Sequence, residues 1–236
     1  MARPNLWAAI EGTLRSEIAQ GLYRPGDKLP TEAALAARFG VNRHTVRHAL
    51  AAMADAGIVH ARRGAGVFVT EAPADYPLGR RVRFHQAISA SGRTPARSLT
   101  RLETRLASLP ERQALGLGDA ALVHVVEGVS LSDEQPIATF RSVFPAARLP
   151  ELLVVLADEP SVTKALAACG VADYTRNQTR LTARLADAVL ALALQIKPGA
   201  PVLRSVAINV DAAGVPVEFG MTWFAGDKVT LTVAPD

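Results

Sequence analysis

The apolar positions along this chain repeat first with a helical period and then with an alternating one. Between Leu6 and Gln20 they fall at Leu6, Ala9, Ile10, Leu14 and Ile18. That spacing of three and four predicts a helix with one buried stripe, ended by Gly21. Tyr23 to Asp27 supplies a turn, in which Pro25 fixes one backbone angle and Gly26 frees the next. Thr31 is placed to cap a second helix that turns Ala34, Leu35 and Phe39 inward and stops at Gly40. Only Val41 separates Gly40 from Asn42, the cap of a third helix that buries Val46, Leu50 and Met53 and ends near Gly57. The pattern is helix, tight turn, helix. Two short β-branched runs follow, Ile58 to Ala61 and Val67 to Thr70, on either side of Arg62, Arg63, Gly64, Ala65 and Gly66. They predict a hairpin.

Residues 71–79 hold two prolines and a glycine and read as a linker between two folding units, residues 1–70 and residues 80–236. The second unit mixes periods. Strand-like runs are Arg101 to Leu106, Leu122 to Leu131, Ile137 to Phe144, Tyr174 to Leu185, Val202 to Val210, Val215 to Trp223 and Val229 to Val233. Short helices are expected over Ser161 to Cys169 and Asp187 to Leu194, with turns at Asp133-Glu134 and Asp211 to Gly214. This predicts an α+β fold, a largely antiparallel sheet with helices packed on it.

Composition narrows the class. An apolar share of 49% excludes a disordered chain, and the uncharged stretches are too short for a membrane span. The start, Met1-Ala2-Arg3-Pro4-Asn5, lacks the apolar run of a signal peptide, so a cytoplasmic protein with no membrane partner is expected. Cys169 is the sole cysteine, which excludes an internal disulfide and a thiolate zinc cage. The net charge of +4 hides a partition. Up to residue 108 there are 16 basic and 8 acidic residues, and after it 10 and 14. Such asymmetry suits an end that meets a polyanion, although Arg-rich surfaces also occur without one.

Spacing decides for DNA. In a helix-turn-helix the second helix enters the major groove and reads bases with its first residues. Here these are Asn42, Arg43, His44, Thr45, Val46 and Arg47. Arg43 and Arg47 lie four apart, opposite the Val46 and Leu50 stripe, and each can take the O6 and N7 atoms of guanine. The Asn42 cap with its first-turn amides suits a phosphate, and His44 and Thr45 suit a phosphate or a thymine methyl. Arg62 and Arg63 at the hairpin tip suit a minor groove or the backbone. Gly64-Ala65-Gly66 lacks the Gly-Lys-Ser/Thr continuation of a nucleotide loop.

The second unit carries no serine elbow, no zinc helix and no spaced acidic cluster, so no catalytic residue, metal or cofactor is assigned. His85 and His124 stand alone. On a regular strand Arg176, Gln178 and Arg180 share one side. Converging arginines suit a small anion, and an exposed Arg-rich face is the competing reading.

The chain resembles the GntR family of bacterial transcription regulators in Leu29-Pro30-Thr31-Glu32, Phe39 to Arg47, Ala49-Leu50 and Gly64 to Val69. The resemblance implies a winged helix-turn-helix with Arg43, Thr45 and Arg47 on DNA, Glu32 orienting the recognition helix, and Arg63 and Gly64 at the wing tip. Many relatives have Arg where this chain has Ala33. Asp75 to Gly79, Arg83-Phe84, Gln178 to Arg180 with Ala183-Arg184, and Glu218 followed by Phe224 to Asp227 resemble the UTRA sensing domain of the HutC branch. Within that branch they are most similar to the repressors of phosphonate utilisation. That domain is similar to chorismate lyase in fold. The resemblance implies an effector pocket at Arg83, Phe84 and His85, at Ser161 and Thr163, and along Glu218, Thr222 and Phe224. Sugar-phosphate-sensing members carry two arginines on the strand before the hairpin turn, where this chain has Gly128 and Ser130, so an aminosugar phosphate is disfavoured.

The expected function is a ligand-responsive regulator, a repressor acting as a homodimer on a palindromic double-stranded operator. Its effector is expected to be a phosphonate, a phosphate ester or a similar small anion. Three competing classes are a lyase-type enzyme built on the second unit, a HutC-type regulator of another catabolic pathway, and a constitutive DNA-binding protein whose second unit only dimerises.

Overall fold

A computed structural model describes residues 5–62, 64–70, 73–81 and 83–233. The chain divides into two compact units, residues 1–72 and residues 73–236. In the first, α1 (Leu6–Ala19), α2 (Glu32–Phe39) and α3 (Arg43–Asp55) precede the strands β1 (Val59–Arg62) and β2 (Gly66–Val69). Their caps are those expected. The Thr31 hydroxyl accepts the Ala34 N–H at 3.2 Å, and the Asn42 side-chain Oδ1 accepts the Thr45 N–H at 2.9 Å. Gly40 closes α2 at φ +64°, a left-handed angle that glycine adopts without a Cβ penalty. Ile10 and Leu14 of α1 pack with Leu35, Val46, Leu50 and Met53, and Val59 and Val69 close this core from the hairpin. Trp7 stacks on His48 at 4.5 Å and ties α1 to α3. The hairpin gains a third member, because the Leu29 N–H donates to the Val67 carbonyl and the Val69 N–H to the Asp27 carbonyl.

The second unit runs β3 (Ala74–Pro77), α4 (Phe84–Ala90), β4 (Pro95–Leu106), α5 (Leu109–Leu115), β5 (Leu122–Ser132) and β6 (Gln135–Pro145). It continues through α6 (Leu152–Asp158), α7 (Val162–Ala168), β7 (Tyr174–Leu185), α8 (Ala188–Leu194), β8 (Pro201–Asp211), β9 (Pro216–Ala225) and β10 (Val229–Thr232). Six strands form one sheet in the order β4-β5-β6-β9-β8-β7, every neighbour antiparallel. Asp133 and Glu134 both take positive φ at the β5–β6 turn, the geometry that matches a two-residue hairpin to strand twist. Leu152 and Leu156 of α6 and Ala165 and Leu166 of α7 pack with Val126, Phe140, Phe144 and Val217 of the sheet. This is the α+β layer fold expected. No helix among the described residues is long and apolar enough to cross a membrane.

The expected linker over residues 71–79 needs correction. Residues 71 and 72 lie outside the described residues, but Ala74–Pro77 is a strand pairing in parallel with β10. Ala74 and Tyr76 are buried while Asp75 and Pro77 are exposed. The alternation is that of a strand, and Pro77 is tolerated at its end because an edge position needs no donor there. Short α4, α5 and α6 were not foreseen either, since a helix of two turns offers too few repeats for its period to show.

One ion pair anchors the β4–α5 corner. Glu111 is 4% exposed and accepts both Nη atoms of Arg105 at 2.7 Å and the Ser108 N–H at 2.8 Å. The Arg105 hydrogen bonds outweigh the opposing effect of burial and hold the Glu111 carboxyl at about 2, against an ordinary 4.5. A depressed folded-state value stabilises the fold above the unfolded-state pKa and is lost as pH falls towards about 2. Glu111→Gln is therefore expected to be less stable than the parent above pH 4.5, the difference shrinking towards pH 2, as read by urea unfolding across that range.

Candidate functional site

The cap and first turns of α3 carry five of the nine residues expected at DNA, Asn42, Arg43, His44, Thr45 and Arg47, and Glu32 at the start of α2 joins them. Arg43, His44 and Arg47 are exposed, while Val46 and Leu50 are buried in the core. Arg47 is not free: its Nε and Nη2 donate to the two carboxylate oxygens of Glu32 at 3.0 and 2.7 Å. The Arg47 guanidinium holds the Glu32 carboxyl below its usual range, with a smaller contribution from Arg43. The Thr45 hydroxyl donates to Asn42 at 2.9 Å, so cap and first turn are locked together. Arg62 ends β1 opposite Gly66, and Gly64 turns the hairpin at φ +77°. Arg63 lies outside the described residues. The Lys28 side chain rests against Gly66, where an added Cβ would come within 2.8 Å of its Cε. Sequence reasoning did not assign this further exposed cation beside the hairpin.

The second unit holds a partly open cavity of about 300 Å³ between the sheet and its helices. Cross-strand register explains why it exists. Ala207 of β8, Gly220 of β9 and Ser142 of β6 lie in one row, and none carries a side chain large enough to reach the layer above. The next rows frame the hollow, with Asn209 beside Glu218 on one side and Ser205, Thr222 and Phe140 on the other. Tyr76, Tyr174, the Arg83–Gln86 segment and the start of α7 at Ser161–Lys164 complete the wall.

Two charged groups dominate this space. Glu218 is 8% exposed, and its oxygens accept the Ser142 hydroxyl and the Asn209 amide, each at 2.6 Å. Asn209 in turn accepts the Arg176 Nε at 3.3 Å. Arg97 of β4 is held between aromatic rings, 5.0 Å from the centre of Phe84 and 4.6 Å from that of Phe140. Its Nε is buried with no hydrogen-bond partner, and burial lowers its pKa. Arg83 also reaches the cavity, but its Nη2 is engaged by Asp173 at 3.0 Å and the Tyr174 carbonyl at 2.9 Å. His85 is pushed below its ordinary value by burial, and the Arg97 and Lys164 charges add to that shift. Among the described residues no cluster of His, Cys, Asp and Glu is placed to hold a metal ion.

Eight of the eleven expected effector residues line the cavity: Arg83, Phe84, His85, Ser161, Thr163, Arg176, Glu218 and Thr222. Gln178, Arg180 and Phe224 do not, and each departure has a physical reason. The β7–β8 register jumps from Arg176 opposite Asn209 to Gln178 opposite Ile208. Asn177 is thus a bulge, which reverses the alternation and turns Gln178 and Arg180 onto the other face, where both are exposed. Phe224 shares the cavity face of β9 but lies one pleat further on, covered by Tyr76 at 5.1 Å and packed in the core with Ile137 and Val229. Arg97, Asn209 and Ser142 escaped sequence reasoning because only cross-strand register brings them together.

The chain matches the family of bacterial regulatory proteins, gntR family, over residues 6–69, and the UTRA domain over residues 90–230. It belongs to the GntR family, in the branch that carries a UTRA domain. An uncharacterized HTH-type transcriptional regulator of Rhizobium meliloti is 39% identical, with 97% of this chain and 94% of that protein covered. The probable transcriptional regulator PhnF of Escherichia coli is 31% identical over 98% of this chain and 95% of its own. The crystal structure of PhnF from Mycobacterium smegmatis superimposes with a TM-score of 0.68 at 26% identity, covering 96% of this chain and 99% of that one. GntR regulators bind DNA and UTRA domains bind small-molecule effectors, so this transcriptional regulator assigns the two activities to separate units.

Gly128 and Ser130 lie on β5, paired with β4. At Gly128 an added Cβ would come within 2.4 Å of the Ser98 carbonyl oxygen and 2.9 Å of the Phe140 ring. Ser130 pairs across the strands with Arg97. The Arg97 guanidinium reaches the cavity wall from β4, one strand over, and lies against the ring that glycine admits. Gly128→Ala is expected to cost about 1–3 kcal/mol through overpacking. Adding Phe140→Leu should relieve only part of it, because the carbonyl contact persists; urea unfolding of both variants checks this.

Proposed function

We propose that this regulator represses genes for the uptake or degradation of phosphonates or related phosphorus compounds. It binds a palindromic operator as a homodimer and changes its DNA affinity when a small anionic effector occupies the UTRA cavity. The observation that carries this reading is Arg97, a half-buried guanidinium on the cavity wall whose Nε is buried without a partner. A buried charge is costly without a partner, and a bound anion supplies one. The likeness to the probable transcriptional regulator PhnF supports the choice of pathway.

On DNA, Arg43 and Arg47 read bases, Asn42, His44 and Thr45 set the helix on the backbone, Glu32 positions Arg47, and Arg62, Arg63 and Gly64 form the wing contact. Two such heads meet a two-fold operator at recognition helices ~34–36 Å apart. Coupling to the cavity passes through residues 71–85, which join the units and contribute Tyr76, Arg83, Phe84 and His85 to the cavity wall. A coupling of ~1–3 kcal/mol is sufficient for such a switch. The sensor reading is favoured over lyase-type chemistry because Glu218 is fixed between Ser142 and Asn209, and the relatives named above are regulators. Steady turnover of chorismate by the purified chain would reverse that preference.

Arg43→Ala and Arg47→Ala are each expected to weaken operator binding by about 1–3 kcal/mol while changing random-DNA binding little. Arg63→Ala should weaken both and lower the salt slope by about one unit. Fluorescence anisotropy on operator and scrambled duplexes separates the two behaviours.

Methylphosphonate or ethylphosphonate should raise the melting temperature and shift operator affinity, since a ligand that binds only the folded state stabilises by about 2.7 kcal/mol at a hundred times its Kd. Arg97→Met should abolish both effects. An unchanged operator affinity at saturating ligand would remove these compounds as effectors.

A further inference from the structure

The cavity offers more than a place for an anion. Glu218 is a buried carboxylate on the same wall, and among the described residues no ion pair reaches it. Each of its oxygens accepts one hydrogen bond, from Ser142 and from Asn209. An ionised carboxylate has about four acceptor sites, so roughly two stay open. Arg176 does not fill them, because its Nε is held by the Asn209 carbonyl and the amide stands between the two charges. Arg97 lies elsewhere in the cavity, over Phe140, which pairs with Thr222 two pleats along β9 from Glu218. Arg83 is engaged by Asp173, and Lys164 pairs with Glu159 at the rim.

We propose that the effector is a compact zwitterion, with its oxoanion on the Arg97 guanidinium and a protonated primary amine on Glu218. The chemistry is that of a short-chain amino-phosphonate or a similar ω-amino oxoacid. Charge complementarity supports this reading: Arg97, Arg176 and Glu218 together carry one net positive charge, and an aminoalkyl phosphonate approaching its dianion carries about one net negative. A simple alkyl phosphonate would leave the open acceptors of Glu218 buried against methylene groups, which is unfavourable. The ammonium fills them with two charge-assisted hydrogen bonds.

The proposal rests on the sensor reading above, and the test separates the two. Isothermal titration of the full chain compares 2-aminoethylphosphonate with n-propylphosphonate, a near isostere without the charge. The expected result is a Kd at least about tenfold lower for the amine, with Glu218→Gln bringing the ratio close to one. The comparison on the unaltered chain needs no variant, so a Glu218→Gln protein that fails to fold leaves the test intact. Equal affinities, or tighter binding of n-propylphosphonate, overturn the zwitterion and leave an anion sensor. No binding of either compound at millimolar concentration, with DNA binding intact, overturns the zwitterion together with the phosphonate reading.

Discussion

The second unit is organised around a buried carboxylate whose two oxygens must both find donors inside a sheet. Glu218 sits on β9, where burial withdraws water from both oxygens, and donors have to be delivered by its neighbours. Ser142 comes from β6 and Asn209 from β8, the two strands flanking β9 in the sheet. Asn209 then recruits Arg176 from the edge strand β7. Four of the six strands are tied through one side chain, and their registers cannot slip without stranding a buried charge. The hollow above the next row is what that polar floor makes useful. A cavity lined by leucines offers only apolar contacts, whereas this one presents charged and hydrogen-bonding groups of both signs.

Much of the fold was legible because its signals are local. The caps Thr31, Asn42 and Ser161 all accept the expected backbone N–H, and the turns at Asp133-Glu134 and Asp211–Gly214 fall where their residues demanded. Local signals also misled. The prolines of residues 71–79 looked like a spacer, yet Ala74 and Tyr76 find a partner in β10, more than 150 residues away in sequence. No local pattern announces a partner at that distance.

The site was legible in proportion to how far its residues depend on contiguous chain. Arg43 and Arg47 follow from a helical repeat, and Ser161 and Thr163 from a helix start. Arg97 had no such signal. In sequence it is one arginine among several on an alternating strand, and its role appears only when β4 pairs with β5 and the empty place at Gly128 lets Phe140 lie beneath it. The exposed pair Glu32 and Arg47 makes a related point at the DNA face. The arginine is oriented by a carboxylate fifteen residues earlier in the chain.

The bulge at Asn177 carries a consequence for how this pocket can diversify. With regular pairing continued from Arg176 opposite Asn209, residue 178 would face Ala207 and residue 180 would face Ser205, both on the cavity wall. A one-residue slip of β7 beyond Arg176, at constant chain length, would thus exchange which residues of an Arg-rich strand face the cavity, without changing a single side chain. Deletion of Asn177 would not, because it removes the bulge and leaves Gln178 opposite Ile208. Register in such an edge strand is a variable separate from its composition.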